Sequence, residues 1–564
     1  MISVTGKKWK ENSPNKNLVE KLKQDYSFSD ILSKLIISRN FNKEEIFSID
    51  NNLSIKNIFS NNKDYKIATS IVIDCIKKKE KICIVGDYDV DGSSATSLLV
   101  RFLNSINHPN FYYIPDREKD GYGASVKLFK KLVVKKPKLI IMVDCGSTSN
   151  DAIDFLNDNK IKSIVVDHHE INKPFPKANC IINPKKDNEL IEYNYLCATA
   201  LVYFFVDLLT TKIKSRMNIQ DYLIYVLLAT VCDVMPLRKL NRVIALQVLE
   251  NFKVDSINFF KEIYSLSKKK KKLDINDLGY LLGPILNSGG RLGHSIYATQ
   301  VLSSNDVEIV KKFTFELFEL NNKRKVIETA TLNEIDFDKI DKDNNDVVIY
   351  YNSNINEGLI GIIAARLTDH FNKPSIVITS SGKLLKGSAR SIYNYNIGAT
   401  IKKALDKNIL LGGGGHIMAA GFTLDKSKLK KFKEFISKDF LATKSNIDKF
   451  SFYDAEVLSS AFNLEFFNDI NKIQPFGNGN PIPIFLIKDL KVIKTSVLKN
   501  KHIFSILKSK SGHSLPSIAF NSVNNKIGEY LLNYKKNLSV LAQIHQNFWN
   551  NKNTLQLTIR DLIL

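Results

Sequence analysis

Gly86-Asp87-Tyr88-Asp89-Val90-Asp91-Gly92 sets three carboxylates within seven residues. An apolar run, Ile82 to Val85, precedes it, and a helix-like run, Ser93 to Ile106, follows. The acids therefore occupy a turn between a strand and a helix. In a parallel α/β sheet such turns lie at strand carboxyl ends, where ligands bind. Asp87 and Asp89 are two apart, so both can face one space with Tyr88 turned away. Hard divalent cations take oxygen ligands of this kind. The plainer alternative is a solvated turn with an Asp cap.

Other residues invite the same question. Lys138 to Val143 is an apolar strand ending in Asp144-Cys145-Gly146, and Ile161 to Val166 is another, ending in Asp167-His168-His169. One Asp after a strand is ordinarily a helix cap. Three such strands, one adding two histidines, gather ligands along one sheet edge. The helix-like run Tyr222 to Val231 leads into Cys232-Asp233 and is stopped by Pro236. An acid at a helix C-terminus opposes the macrodipole, which favours a functional role for Asp233. Asp91 fits two roles equally, cap of the helix beginning near Ser93 or ligand.

Phosphate chemistry needs cations and accessible N–H groups. Arg291 sits among Gly289, Gly290 and Gly293, which would let backbone approach an anion. Gly412 to Gly415 precede His416 with the same logic, a flexible hairpin being the alternative. Lys386-Gly387-Ser388-Ala389-Arg390 is a weaker candidate, and Arg390 serves equally as a surface charge. The run Lys268 to Lys272 reads as a solvated loop.

These residues need a scaffold, and 564 residues suggest three or four domains. Hydrophobic content of 44% and charged content of 25% are those of globular protein. A formal net charge of +23 favours a polyanion partner, nucleic acid above all, although Lys is abundant throughout as generic surface. Cys75, Cys83, Cys145, Cys180, Cys197 and Cys232 form no Cys-x-x-Cys pair and read as buried free thiols of a reduced compartment. Met1 to Asn17 holds no apolar signal segment, and the longest apolar run, Tyr222 to Cys232, is short of the roughly 20 residues that span a bilayer. A cytoplasmic protein without a membrane partner is expected.

Residues 1–55 read as a short helical lead-in. From about Asp64 the pattern is α/β, with a helix over Ile67 to Lys78 and uninterrupted apolar strands that indicate a parallel sheet covered on both faces. Residues 303–340 read as a long polar helix. Ser303, Ser304 and Asn305 supply its caps, Asp306 and Glu308 lie in its first turn, and Val310, Phe313, Leu317 and Leu320 recur at helical spacing. Residues 341–445 form a smaller α/β lobe with a strand from Val347 to Tyr351, a helix from Leu359 to His370 and strands near Ile376 and Lys386. Residues 446–564 carry five short strand-like runs, at Ile482–Ile487, His502–Leu507, Leu515–Phe520, Leu538–His545 and Thr554–Ile559. Five such runs suit an OB-type β-barrel. Phe504, Phe520, Phe548 and Trp549 are candidate stacking platforms there, with barrel core as the alternative.

Taken in order, GDYDVDG, Asp144-Cys145-Gly146, Asp167-His168-His169 and Cys232-Asp233 resemble the DHH phosphoesterase superfamily. Further motifs narrow the resemblance to the RecJ-type single-strand-specific DNA exonucleases. They are Pro115-Asp116-Arg117 with Gly121-Tyr122-Gly123, Gly283-Pro284-Ile285-Leu286-Asn287-Ser288-Gly289-Gly290-Arg291-Leu292-Gly293, Gly413-Gly414-Gly415-His416, and Pro475-Phe476-Gly477-Asn478-Gly479-Asn480-Pro481. Two positions depart from common family residues. Cys83 stands where many DHH enzymes have His, and Ile355-Asn356 stands where Trp-His is common.

The resemblance implies a DHH catalytic domain at 56–302, the linker helix at 303–340, a DHH-associated phosphate- and DNA-binding domain at 341–445 and a single-strand-binding OB-like domain at 446–564. It implies Asp87, Asp89, Asp144, His168 and Asp233 as ligands of Mn²⁺ or Mg²⁺, two ions in the two-metal scheme, with Asp144 as the bridge. Asp167 would orient an imidazole. His169 would contact phosphate or act as an acid, or else be a packed histidine, and His416 would be a phosphate hook from the second lobe. Arg117, Tyr122, Asn287, Arg291, Ser388, Arg390, Gly414 and Gly415 would bind the strand and its phosphates. The implied activity is 5′-to-3′ exonucleolytic release of 5′-mononucleotides from single-stranded DNA in recombination and repair, with a helicase and a single-strand-binding protein as partners. Two rivals stand beside it, a DHH phosphodiesterase of short oligoribonucleotides or cyclic dinucleotides, and a non-catalytic replication scaffold. The second is disfavoured because all five ligands are present.

Overall fold

The computed structural model describes residues 1–51, 53–116, 120, 123–270, 272–343, 345–392, 394–444, 450–549 and 552–564. The chain forms two compact units. One comprises Lys56–Met235 and Asn251–Asp448, the other Met1–Ile55, Pro236–Glu250 and Lys449–Leu564.

The larger unit is built on a five-stranded sheet. Its spatial order is Asn110–Tyr113, Ile82–Gly86, Leu139–Val143, Lys162–Val166 and Cys180–Ile182, and every pairing is parallel. The central strands are buried on both sides, as their unbroken apolar sequences require. Helices Val126–Val133 and Asn150–Asp158 cover one face through Phe129, Leu132, Ile153 and Leu156. Helices Val90–Ser105, almost wholly buried, and Ala198–Ile213, buried up to Val206, pack on the sheet as well. Register is the decisive feature. Gly86 pairs with Val143, Val143 with Val166, and Val166 with Ile182. The next residues, Asp87, Asp144, Asp167 and Asn183, thus stand level along one edge.

A 27-residue helix, Val307–Asn333, leads to the second lobe. At 1.5 Å per residue it is about 40 Å long. Its cap is Asp306, which accepts from the N–H groups of Glu308 and Ile309, and not the expected Ser303, Ser304 and Asn305. Ser303 ends the preceding helix, Tyr297–Ser303. Val310, Thr314, Leu317, Asn321, Arg324 and Glu328 make the buried stripe. Glu328 accepts from Arg324 at 2.7 Å and from Arg366 of helix Ile360–Phe371 at 2.8 Å, tying the long helix to the second lobe.

That lobe has a mixed sheet in the order Gly412–Gly415, Ala419–Asp425, Leu384–Arg390, Ser375–Ser381 and Val348–Tyr351. Helices Ile360–Phe371, Ile397–Asp406 and Leu429–Lys444 complete it.

In the smaller unit, strands Phe485–Leu498, His502–Ser509, Ser514–Ala519, Lys552–Ile563 and Leu538–Trp549 pair in that order, and the last returns to the first, closing a five-stranded barrel. The first strand runs far beyond the expected Ile482–Ile487. Register shifts after Ile487 and Val492, and a left-handed Asp489 (φ 55), break the alternation that would reveal it. Helix Lys526–Asn533 also went unexpected, being only 8 residues long. Phe504 is half-buried, Phe520 is exposed against His502, and the Phe548 and Trp549 side chains lie outside the described residues.

Residues 1–55 are integral to this unit. Strand Lys8–Glu11 pairs with Phe450–Tyr453, and Leu32, Leu35 and Ile36 share a core with Phe485, Ile487, Leu490 and Val540. The 236–250 segment is held there too. Arg238 pairs with Glu45, and buried Arg242 donates to the carbonyls of Lys472, Ile473 and Gln474. The Pro475–Pro481 motif receives that segment, Leu237 N–H donating to Asn478 O at 2.8 Å. Among the described residues no helix is long and apolar enough to cross a membrane.

Candidate metal centre

Asp87 directly follows its strand and is buried, its Oδ1 accepting from Tyr88 N–H at 2.8 Å. Asp89 is the N-cap of helix Val90–Ser105 and accepts from Gly92 N–H at 3.0 Å. Gly92 is required by close approach, since a Cβ there would stand 2.5 Å from Asp87 backbone atoms. Tyr88 is turned away as expected, toward Gly290, where a Cβ would lie 2.7 Å from the tyrosine ring.

Asp144 adopts φ 59, a left-handed conformation that Asp tolerates better than most residues. Its Oδ1 is buried and makes no hydrogen bond among the described residues. His168 Nε2 lies 3.3 Å from Asp144, 3.5 Å from Asp233 and 3.7 Å from Asp91. Ligand atoms of Asp87, Asp89 and Asp144 lie within 4.8 Å of one another, as do those of Asp144, His168 and His169, and of Asp91, His168 and Asp233.

Asp91 settles into a third role. Its two carboxylate oxygens accept from Ala198 and Thr199 N–H, each at 2.7 Å, and so cap helix Ala198–Ile213. It is not the cap of its own helix. Its charge remains beside His168.

The carboxylates destabilise one another's ionised forms. Burial, then Asp91, Asp89 and Asp87, raises the Asp144 pKa well above the usual aspartate range. Burial and Asp91 raise that of Asp89. Asp233, at the C-cap of helix Leu223–Cys232, is pushed up to about 8 by burial, Asp91 and Asp89. An orphaned buried carboxylate oxygen amid repelling acids fits a hard cation, because a cation turns that repulsion into ligation.

Asp167 does something different. Its Oδ1 accepts from His168 N–H (2.8 Å), His169 N–H (3.1 Å) and His169 Nδ1 (2.8 Å), and its Oδ2 accepts from Ser147 N–H (3.1 Å). Burial alone would raise its pKa, but the His169 hydrogen bond and charge hold it below the usual range. The adjacent histidines diverge. Burial lowers His168 to about 4 despite the nearby acids, leaving a neutral imidazole suited to ligation. Burial also disfavours charge on His169, but Asp167 outweighs it and raises the value to about 9. That raised value stabilises the fold fully below about pH 6.5 and ceases to do so as pH rises through about 9. In Asp167→Asn the His169 pKa, followed by NMR in metal-free protein, is expected to fall toward 6.5. A value still near 9 would show that another group holds the proton.

On the second lobe, His416 occupies the turn between strands Gly412–Gly415 and Ala419–Asp425. The glycines form a paired edge strand instead of a loose hairpin. His416 N–H donates to Ala419 O at 2.8 Å, and His416 O accepts from Gly398 N–H at 3.1 Å. The His416 ring is exposed, with its centroid 5.7 Å from that of His169. Gly415 and Gly414 lie in the same strand, Gly414 facing open space.

Arg291 Nη1 donates to Gly358 O at 3.0 Å, while Gly289 and Gly290 belong to helix Gly283–Arg291 and serve close packing on His294 O and Tyr88. The space beside these two glycines is filled by protein, whereas Gly293 (φ 83) faces open space. Asn287 is half-buried on the same helix. Ser388 and Arg390 meet at the first turn of helix Ile360–Phe371, Arg390 Nη1 donating to Ser388 Oγ at 3.3 Å and to Ala389 O at 3.0 Å. Arg390 is half-buried, not a loose surface charge. Asn356 Oδ1 accepts from Gly358 N–H at 2.8 Å, giving the family-divergent position a turn-forming role. Cys83 is a buried core residue. Arg117 and Tyr122 lie outside the described residues.

Sequence reasoning passed over Ser147 and Asn183. Asn183, 1% exposed, donates to Ser147 Oγ at 2.7 Å and to His169 O at 2.9 Å. Its strand, Cys180–Ile182, has only three residues, too few for a periodic pattern.

Comparison with known proteins agrees with this arrangement. Residues 81–230 match the DHH family N-terminal domain, 344–441 the DHHA1 domain and 453–561 the RecJ OB domain. The single-stranded-DNA-specific exonuclease RecJ of Haemophilus influenzae is 27% identical over 542 residues, covering 90% of this chain and 92% of that protein. The Bacillus subtilis protein of the same name is 26% identical over 565 residues, covering 98% of this chain and 70% of that protein. The crystal structure of RecJ in complex with Mn²⁺ from Thermus thermophilus is similar with a TM-score of 0.83 at 20% identity, covering 99% of this chain and 79% of that one. A second RecJ structure from the same organism, in complex with Mg²⁺, gives 0.75 at 19% identity over 99% of this chain and 78% of that one. With DHH, DHHA1 and RecJ OB domains in succession on a RecJ fold, the chain belongs to the RecJ family of the DHH superfamily.

Proposed function

We propose that this chain is a metal-dependent exonuclease specific for single-stranded DNA, removing 5′-mononucleotides in the 5′-to-3′ direction during recombination and repair. The observation that carries the reading is the level row of Asp87, Asp144 and Asp167 with His168, facing His416 across a ring-to-ring distance of 5.7 Å from His169. The names of the RecJ relatives supply the substrate.

Asp87, Asp89, Asp144, His168 and Asp233 would hold Mn²⁺ or Mg²⁺. An oxygen-rich donor set with one imidazole suits these ions better than zinc. Bound divalent ions supply Lewis acidity and offset phosphate charge. The chain's own residues then divide the remaining work. Asp167 and Asn183 hold the His168-His169 loop in place, and Asp167 favours the charged imidazole of His169, which can donate to a phosphate oxygen. His416 offers a second imidazole from the other lobe. Arg291, Ser388 and Arg390 would take the strand's terminal phosphate, the last two beside a helix N-terminus that favours anions. The net charge of +23 draws the strand in, the OB-type barrel offers it a binding surface, and a helicase and a single-strand-binding protein are the partners that would feed such an enzyme in the cytoplasm.

An oligonucleotide labelled at either end, incubated with protein and Mn²⁺, tests this directly. Early release of the 5′ label as a mononucleotide, abolished by chelator and by Asp144→Asn, is expected. Intact long strands with cleavage confined to dinucleotides would overturn the reading.

A further inference from the structure

A fourth strand end adds a cation to the site. After strand Cys180–Ile182 comes Asn183-Pro184-Lys185-Lys186. Asn183 Oδ1 accepts from Lys185 N–H at 2.8 Å, while its amide group donates to His169 O and Ser147 Oγ. The backbone of Lys185 is thereby fixed to the loop that carries the two histidines. Its Nζ lies 3.0 Å from Oε1 of Glu170, the residue after His169. The neighbouring Lys186 is turned elsewhere, onto Asp64 and the carbonyl of Ile181.

The two members of the Lys185–Glu170 pair are unequally buried. The Lys185 side chain is 21% exposed and that of Glu170 is 66% exposed. An ion pair with so exposed a carboxylate contributes little to stability, so a better anion can displace it. Glu170 directly follows His169, whose ring stands 5.7 Å from that of His416, so the ammonium is anchored on the loop that borders this gap. An ammonium on a flexible stem binds phosphate as a point charge and needs no forked geometry.

We infer that Lys185 is a phosphate-binding residue of the metal-bearing lobe, whose ammonium leaves Glu170 for a backbone phosphate of the strand lying at the His169–His416 gap. This rests on the exonuclease reading above. It places a lysine on the histidine loop, beside the carboxylates that would hold the metal.

The test is steady-state digestion of a labelled single strand with Mn²⁺ across a salt series, using wild type, Lys185→Ala, Lys185→Arg and Glu170→Gln, with melting temperatures for each. Lys185→Ala is expected to raise KM about ten-fold while kcat stays near wild type. The slope of log kcat/KM against log salt should become shallower by about 0.7, the loss of one phosphate contact on a single strand. Lys185→Arg should restore most of KM, and Glu170→Gln, lacking the competing carboxylate, should bind at least as tightly as wild type. Wild-type KM and salt slope in Lys185→Ala, or equal impairment of Lys185→Ala and Glu170→Gln as a structural ion pair would give, overturns the inference. Wild-type protein that leaves the strand intact overturns the exonuclease reading instead.

Discussion

Asp144→Asn is expected to abolish cleavage, by about 10⁴-fold or more, while making the metal-free protein more stable. Both effects have one source. Asp144 is buried at the centre of a group of carboxylates, with one oxygen unsatisfied and its ionised form disfavoured by burial, Asp91, Asp89 and Asp87. Asparagine keeps the shape, accepts the left-handed φ of 59 and removes the charge. The relief is expected to be about 1–2 kcal/mol, the usual gain when a functionally strained site is neutralised. It follows that metal should raise the melting temperature of wild type and not of the variant. The pH dependence has a definite sign. Asp233, raised to about 8, favours the folded state below its ordinary pKa and loses that contribution as pH rises through about 8. Metal-free wild type should therefore lose stability from about pH 4 to pH 8, less steeply in Asp144→Asn. Thermal melts with chelator and with Mn²⁺ at about pH 6 and about pH 8.5 check both statements. A variant that melts below wild type without metal would mean that the carboxylate is stabilising as it stands.

His416→Ala should cut turnover by about 10²–10³-fold and change stability by no more than about 0.5 kcal/mol. The side chain is exposed, whereas the turn that carries it is held by backbone groups, His416 N–H to Ala419 O and Gly398 N–H to His416 O, which alanine keeps. The imidazole instead faces His169, 5.7 Å away between ring centroids. Unchanged turnover, or a fall in melting temperature matching the fall in rate, would place His416 in the architecture and not in the chemistry. Deleting residues 450–564 is a poorer probe of how the barrel serves the enzyme. Leu32, Leu35 and Ile36 of the N-terminal segment would lose the partners of their core.

The metal-bearing lobe was open to reading because its rules are local. An unbroken apolar strand announces a sheet covered on both faces, and an acid directly after it announces a strand end. Asp87, Asp144, Asp167 and the two histidines could therefore be named before any contact was known. The second lobe and the barrel were legible as runs of strands. The long strand Phe485–Leu498 was not, since register shifts hide its alternation, and neither was Asn183, behind a three-residue strand.

Ligand chemistry, then, was written in residue type and spacing along the chain, and so was the expectation of a nucleic-acid partner. Roles among those residues were decided only in three dimensions, because hydrogen bonds and register join segments far apart in sequence. Asp89 caps its own helix, while Asp91, two residues later, caps a helix 107 residues away. Gly290 admits the Tyr88 ring. The pairing of Gly86, Val143, Val166 and Ile182 turned separate strand ends into one row. No local pattern specifies that level alignment, because it depends on which strands neighbour each other and at what register.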